Sequence, residues 1–391
     1  VTAEGHADVI VVGLGAMGSA TADALAGRGV SVIGLEAFGP GHANGSSHGT
    51  HRIVRQVIEE GPFYVPLALD AFERWAQLEE DTATELLVRC GAIRLGPPGC
   101  ELLAAFRASA DAWSLPYESL SGPDVSARFP GFAVPDDYCG YFEPGAGFVH
   151  AARAVATLQD RARRRGADLR FGQPVSTWTA GPDGVGVSTA TETFAADRLV
   201  ITAGAWTGRV SRLDVPLVAN RVVNAYFEPH DRELFSPDRL PPFIVDGGDL
   251  DGGGGTSGEG TPALRSGTMY GIPVVPGDGL KVGVSGTPTD PDHVDRVVTA
   301  DEVAALRSWV DRFLPAASGP VASTLTCLYT KTPDEHFVID RHPDHDNVVV
   351  ASPCSGHGFK YTPAIGALLG DLATGAEPRH DLRPFALDRF A

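Results

Sequence analysis

Val9-Ile10-Val11-Val12-Gly13-Leu14-Gly15-Ala16-Met17-Gly18 is an unbroken apolar run followed at once by three glycines in Gly-x-Gly-x-x-Gly spacing. Apolar residues without alternation suit a parallel strand covered on both faces. A helical stretch follows, Gly29 ends it, and Val30 to Leu35 begin a second strand that Glu36 closes. In such a unit the first glycine permits the tight turn, the second lets backbone approach a pyrophosphate, and the third lets helix and strand pack closely. The helix N-terminus supplies amides and partial positive charge to phosphates, and Glu36 can accept ribose hydroxyls. The unit predicts a bound dinucleotide and leaves NAD and FAD both open.

The chain has 391 residues, more than one hydrophobic core usually organises, so two domains are expected. Pieces of the nucleotide fold return late: His150 to Arg165 reads as an amphipathic helix, and Arg198 to Thr202 and Asn347 to Ala351 as apolar strands. Between them, residues 86–147 and 216–324 mix alternating strands such as Val222 to Phe227 with helices such as Asp301 to Phe313. This predicts a discontinuous nucleotide-binding domain (1–85, 148–215 and 325–391) and an inserted second domain (86–147 and 216–324). Asp246 to Gly267 is glycine-rich and without periodicity, and reads as a flexible loop or a lid, composition favouring the loop.

A formal net charge of -18 repels nucleic acid and anionic membrane surfaces, though a local basic pocket can still take a small anion. No basic flank with a long apolar run stands near the N-terminus, and no segment approaches the ~18 apolar residues of a membrane span. The expectation is a cytoplasmic monomer. Cys90, Cys100, Cys139, Cys327 and Cys354 are odd in number and scattered, which argues against a disulfide framework or a zinc site. No metal is expected.

The C-terminal third is more specific. Thr326-Cys327-Leu328-Tyr329-Thr330-Lys331-Thr332-Pro333-Asp334-Glu335-His336-Phe337, Ser355-Gly356-His357-Gly358-Phe359-Lys360, Gly45-Ser46-Ser47-His48-Gly49 and Arg52-Ile53-Val54-Arg55 together resemble the monomeric sarcosine oxidase and N-methyltryptophan oxidase family. The resemblance runs over nearly the whole chain apart from the glycine-rich stretch. It implies an α/β fold with a Rossmann-like FAD-binding domain plus a second α+β substrate domain built on a mixed or antiparallel sheet. It also implies FAD joined covalently to Cys327, and a small amino acid and O2 as reactants. The chemistry implied is hydride transfer from a secondary amine to flavin and reoxidation by O2, giving an imine and hydrogen peroxide.

By the same resemblance Arg55 and Lys360 clamp a substrate carboxylate, Lys281 activates oxygen, Arg52 approaches the flavin, and Tyr270 and His357 line the site. Gly13, Gly15, Gly18, Glu36, Ser47, Arg52, Val175, Cys327, Gly356, Gly358 and Lys360 hold the cofactor. The residues themselves are consistent with this. Period two puts Leu325, Cys327 and Tyr329 on one strand face, and Lys281, Gly283 and Ser285 on another, where Gly283 leaves room for a planar ligand. Lys360 reads as the first turn of a helix running to Leu372, where a cation opposes the helix dipole and calls for an anion. One departure stands out: Ser285 occupies the position at which the sarcosine oxidases carry a histidine, four residues after the oxygen-activating lysine. With Cys354 and the glycine-rich stretch, this points to a pocket for a ring or bulky side chain. A cyclic imino acid oxidase, a flavin dehydrogenase of such a ring using another electron acceptor, and a flavin-binding subunit without activity are the competing readings.

Overall fold

The computed structural model describes residues 6–248 and 267–390, so residues 249–266 of the glycine-rich stretch lie outside the described residues. His6–Val12 lies between Thr193–Ile201 and Val32–Glu36 and is parallel to both. Asp168–Phe171 continues the sheet on one side and His345–Ser352 on the other, again in parallel. The helices Ala16–Ala26, Ala151–Arg164 and Thr362–Thr374 cover one face, where Val9 and Val11 meet Ala20, Leu25, Leu158, Ile365 and Leu369. On the other face Ile10 and Val12 join Leu199, Ile201, Val348, Val350, Trp178 and Phe194. Burial on both faces is why Val9 to Val12 show no alternation; each such side chain contributes about 1.5–3 kcal/mol.

The second sheet runs Thr287–Pro288, Val218–Phe227, Leu280–Val284, Thr268–Ile272, Phe243–Asp246, Ala92–Gly96, Cys139–Glu143 and Glu118–Ser121 in spatial order. It is mixed, since Phe243–Asp246 pairs in parallel with Ala92–Gly96 while its other pairings are antiparallel. Val223, Ala225, Phe227, Leu280, Val282 and Val284 pack on the helix Ala300–Phe313 through Leu306, Trp309, Val310 and Phe313. That helix starts at a capping box in which Thr299 and Glu302 each satisfy the other's backbone N–H. The opposite face of the sheet, with Asn224, Tyr270, Lys281 and Ser285, opens on a cavity.

Val321–Lys331 is one continuous strand of this second sheet, antiparallel to Val218–Phe227. A domain boundary at residue 325 therefore cuts through a strand: Cys327 sits on the second sheet and faces the first domain from there. A third, small sheet joins His51–Val54, Gly147–His150 and Leu87–Val88. Its strands come from both sides of the boundaries drawn at 86 and 148, because the two regions interleave there. Among the described residues no helix is long and apolar enough to cross a membrane.

Candidate active site

The Gly13–Gly18 turn is built to meet a ligand. A Cβ on Gly18 would lie 1.8 Å from the Gly13 carbonyl oxygen and 2.6 Å from Thr202 Oγ1, so the helix can start flush beneath the turn only with glycine there. Gly15 stands at the N-cap of Ala16–Ala26 with no side-chain cap. Leu14 N–H donates to Glu36 Oε2 at 2.8 Å, Phe38 N–H to Glu36 Oε1 at 3.1 Å, and Ala16 N–H to Ser47 Oγ at 2.9 Å. Glu36 thus fixes the turn, and with His42 Nε2 also 3.4 Å from Oε1, it is Oε2 that keeps a lone pair for a ligand's hydroxyl.

From this turn a cavity of about 1010 Å³ extends to the second sheet. Gly13, Gly15, Glu36, Ser47, Arg52, Arg55, Val175, Tyr270, Lys281, Cys327, Gly356, His357, Gly358 and Lys360 all line it. Gly18 alone among the predicted residues does not, because it lies under the turn and acts through packing. Midway, Arg52 donates to the Ser46 and His48 carbonyl oxygens at 3.0 and 2.7 Å and reaches Cys327 Sγ at 3.6 Å. Lys281 is 3% exposed and donates to the His51 carbonyl oxygen at 3.1 Å. Burial, helped by the neighbouring Arg52 charge, lowers the Lys281 ammonium to about 7.

The chain matches the model of the family described as FAD dependent oxidoreductase over residues 8–372. It is 39% identical to a monomeric sarcosine oxidase of Streptomyces avermitilis, covering 98% of each chain. It is 32% identical to an N-methyl-L-tryptophan oxidase of Salmonella heidelberg, over 98% of this chain and 99% of that one. The chain belongs to this family of FAD-dependent oxidoreductases. Among solved structures it resembles NikD, an unusual amino acid oxidase essential for nikkomycin biosynthesis, at 25% identity with a TM-score of 0.84, over 98% of this chain and 97% of NikD.

The residues of this FAD-dependent oxidoreductase fit the cofactor. The turn needs glycine, and its N-cap Gly15 brings no side chain of its own over the helix N-terminus, which leaves room for a pyrophosphate. Further along, Ser46 Oγ and His48 Nε2 are buried without a hydrogen-bond partner. Buried polar atoms without partners are costly, and a bound group with polar edges would relieve them. His48 is kept neutral by burial and by Arg52, at about 4.

The far end of the cavity differs from expectation in three ways. Arg55 is not a free cation: it pairs with Glu59, which also takes Arg94, and its Nη2 donates to Glu60 Oε1 at 2.5 Å. Burial opposes the Arg55 charge, but Glu59 and Glu60 outweigh it and hold the guanidinium protonated above its ordinary range. Lys360 belongs to a 3-10 turn, Gly358–Tyr361, ahead of the α-helix Thr362–Thr374, and donates to the His357 carbonyl oxygen at 2.5 Å. Burial first, then Arg55, push its ammonium well below the usual lysine range. Glu60 acts on this ammonium in the opposite sense through its charge, but its ion-pair partner is Arg55. Finally, Gly283 makes room for a side chain rather than a planar ligand, since a Cβ there would lie 2.5 Å from the Tyr270 ring.

His357 lies beside Lys360, whose ammonium donates to its carbonyl oxygen. Its Nε2 donates to the Glu335 carbonyl oxygen at 3.1 Å, leaving Nδ1 as a buried acceptor 3.9 Å from Glu60 Oε1. Burial holds the ring neutral, at about 3. Glu60, His51 and Asn224 also line the cavity and were not singled out from the sequence. Glu59-Glu60-Gly61 reads as a solvated acidic turn, and only the preceding Arg55 hints at pairing. Asn224 did leave a signal, as a polar residue on the otherwise apolar run Val222 to Phe227.

Proposed function

We propose that the chain oxidises the C–N bond of a secondary amino acid, with FAD joined to Cys327, the substrate carboxylate at Arg55 and Lys360, and O2 as the electron acceptor. The observation that carries this reading is one cavity reaching from the dinucleotide turn to a wall on which Cys327, Arg52, Lys281, Arg55 and Lys360 all open. When bound, FAD accepts a hydride equivalent from the carbon beside the amine nitrogen and yields its electrons to O2 as hydrogen peroxide. The relatives named as oxidases of N-methyl amino acids support this substrate class.

Each residue then has a physical task. Arg52 places a fixed charge beside Cys327 Sγ and is itself oriented by the carbonyl oxygens of Ser46, His48 and His51. Lys281 holds a proton and a positive charge on the cavity wall, where oxygen gains electrons. Lys360 and Arg55 receive the carboxylate, which must share Arg55 with Glu60. An arriving anion favours the protonated form of Lys360, so binding brings a proton with it. The word monomeric in the names of the sarcosine oxidases supports a monomer, and the net charge of -18 supports an enzyme without nucleic-acid or anionic-membrane partners.

The test is anaerobic addition of N-methyl and cyclic amino acids to the holoenzyme. Bleaching of the flavin by such amino acids, reversed by air with release of peroxide, is expected. Bleaching that air reverses only slowly would replace the oxidase reading with a dehydrogenase, and no bleaching by any amine would end both.

A further inference from the structure

Three neighbouring strands build a polar device on the cavity wall. Tyr270 and Asn224 both lie opposite Gly283, one on each side, on the strands Thr268–Ile272 and Val218–Phe227 that flank Leu280–Val284. A Cβ on Gly283 would stand 2.5 Å from the Tyr270 hydroxyl and 2.6 Å from Asn224 Oδ1. Its absence lets the Tyr270 side chain cross the central strand, and Tyr270 donates its hydroxyl proton to Asn224 Oδ1 at 2.6 Å. Tyr329, from Val321–Lys331, donates in turn to the Tyr270 hydroxyl oxygen at 3.1 Å. Both phenolic protons are therefore spent within the wall.

Asn224 is left with an unused donor. It is 2% exposed, it lines the cavity, and its neighbours on alternate positions, Val223 and Ala225, point into the opposite core. A carboxamide offers two N–H donors and an oxygen with two acceptor sites. Among the described residues only Oδ1 has a partner, the Tyr270 hydroxyl. An amide donor facing the cavity is otherwise satisfied by solvent, so an acceptor on a ligand there can take its hydrogen bond.

We infer that Asn224 is a specificity-determining residue whose Nδ2 donates to an uncharged acceptor on the substrate side chain. It selects amino acids bearing an ether, carbonyl, hydroxyl or ring-heteroatom acceptor over purely aliphatic ones. This rests on the cavity being an amino acid site, as proposed above. Because Tyr270 and Tyr329 have no proton to give, the selectivity belongs to Asn224, and the tyrosines set its direction by occupying Oδ1.

Anaerobic titration of the holoenzyme with tetrahydrofuran-3-carboxylate and with cyclopentanecarboxylate, followed by the absorbance of the bound flavin, measures this without turnover. The two rings differ by one acceptor, and neither has a C–N bond. The oxygen-containing ring should bind about three- to tenfold more tightly, the range of one neutral hydrogen bond. Asn224→Leu should abolish the preference, and Asn224→Asp, which still accepts from Tyr270 but cannot donate, should invert it. With substrates, N-methyl-O-methylserine should show the lower KM against N-methylnorvaline at similar kcat. Equal affinity for the two rings in the wild type, or a preference that survives both substitutions, would overturn the inference and leave the amino acid reading standing. If neither ring perturbs the flavin and no N-methyl amino acid reduces it, both fall together.

Discussion

Lys281 Nζ donates to the carbonyl oxygen of His51 at 3.1 Å, tying the second sheet to the small three-stranded sheet at the back of the cavity. The bond fixes where the ammonium points without neutralising it. The His51 ring adds no charge of its own, since burial and the neighbouring His150 and Lys281 hold it neutral, at about 3. Lys281 is thus a directed charge in a buried wall, lowered by burial and Arg52 and raised in part by Cys327 and Asp278.

This makes the oxygen step sensitive to pH. A lysine lowered to about 7 is charged below that pH and neutral above it. Reoxidation of the reduced enzyme by O2 should therefore slow as pH rises through about 7, with reduction by substrate following a different profile. A cation ~4 Å from a developing anion at an effective dielectric of ~20 is worth up to ~4 kcal/mol, which is ~10³ in rate. Lys281→Met should remove both the pH dependence and a rate factor approaching that size. Stopped-flow mixing of reduced enzyme with oxygenated buffer resolves this half-reaction, and equal losses in the two halves would exclude the role.

How far these features could be read from the sequence depends on how local their causes are. The Gly13–Gly18 turn and its flanking strands are local, and they appear within a residue or two of their predicted places. Period two likewise put Cys327 with Tyr329, and Lys281 with Ser285, on cavity faces. Partners distant in sequence were not legible. Glu59 and Glu60 lie close enough to Arg55 to suggest a pair, yet Glu59 is also held by Arg94, which arrives from a distant strand. The task of Gly283 is set by Tyr270 and Asn224, 13 and 59 positions away by their numbers, so spacing alone assigned it to a ligand. A boundary at 325 falls inside strand Val321–Lys331, whose pairing with Val218–Phe227 is a contact that composition does not record.

FAD should remain with the polypeptide after acid precipitation, as a yellow pellet whose intact mass exceeds the apoprotein by one FAD. Cys327→Ser removes the sulfur that Arg52 reaches and should release the flavin to the supernatant. Flavin found wholly in the supernatant from active wild type would refute the thioether. Cys354, which accepts from Thr330 N–H at 3.4 Å and also lines the cavity, provides the control: Cys354→Ser should keep the pellet yellow.

At the far end of the cavity, Lys360→Met or Arg55→Met should weaken binding of carboxylate ligands by ~2–5 kcal/mol, because an anion is then left partly unpaired. The pH dependence follows from the lowered Lys360 ammonium. Its charge is present at low pH and lost as pH rises through its depressed value, so affinity for an unreactive carboxylate should fall with rising pH. Binding at the upper end of that range should take up a proton, seen as a buffer-dependent heat in calorimetry. Methyl esters should turn over poorly, and efficient turnover of them would refute the clamp.

Gly283→Ala tests the wall from the opposite direction. The added methyl would lie 2.5 Å from Tyr270 Cζ and hydroxyl and 2.6 Å from Asn224 Oδ1, with its own strand paired on both sides. The paired backbone cannot yield cheaply and the half-buried ring can do so only by giving up its hydrogen bond to Asn224, and overpacking of this kind costs about 1–3 kcal/mol. Tm should fall, and the Tyr270–Asn224 hydrogen bond should break as the ring is displaced into the cavity. Affinity for bulky carboxylates should then fall more than affinity for small ones, since the displaced ring takes up side-chain space while Arg55 and Lys360 are untouched. A double-mutant cycle separates the cause from a general loss of stability. In a Tyr270→Ala background, where the ring is absent, Gly283→Ala should lose at least half of its destabilising effect. An undiminished effect there would mean that the strand itself, and not the crossing tyrosine, requires glycine at 283.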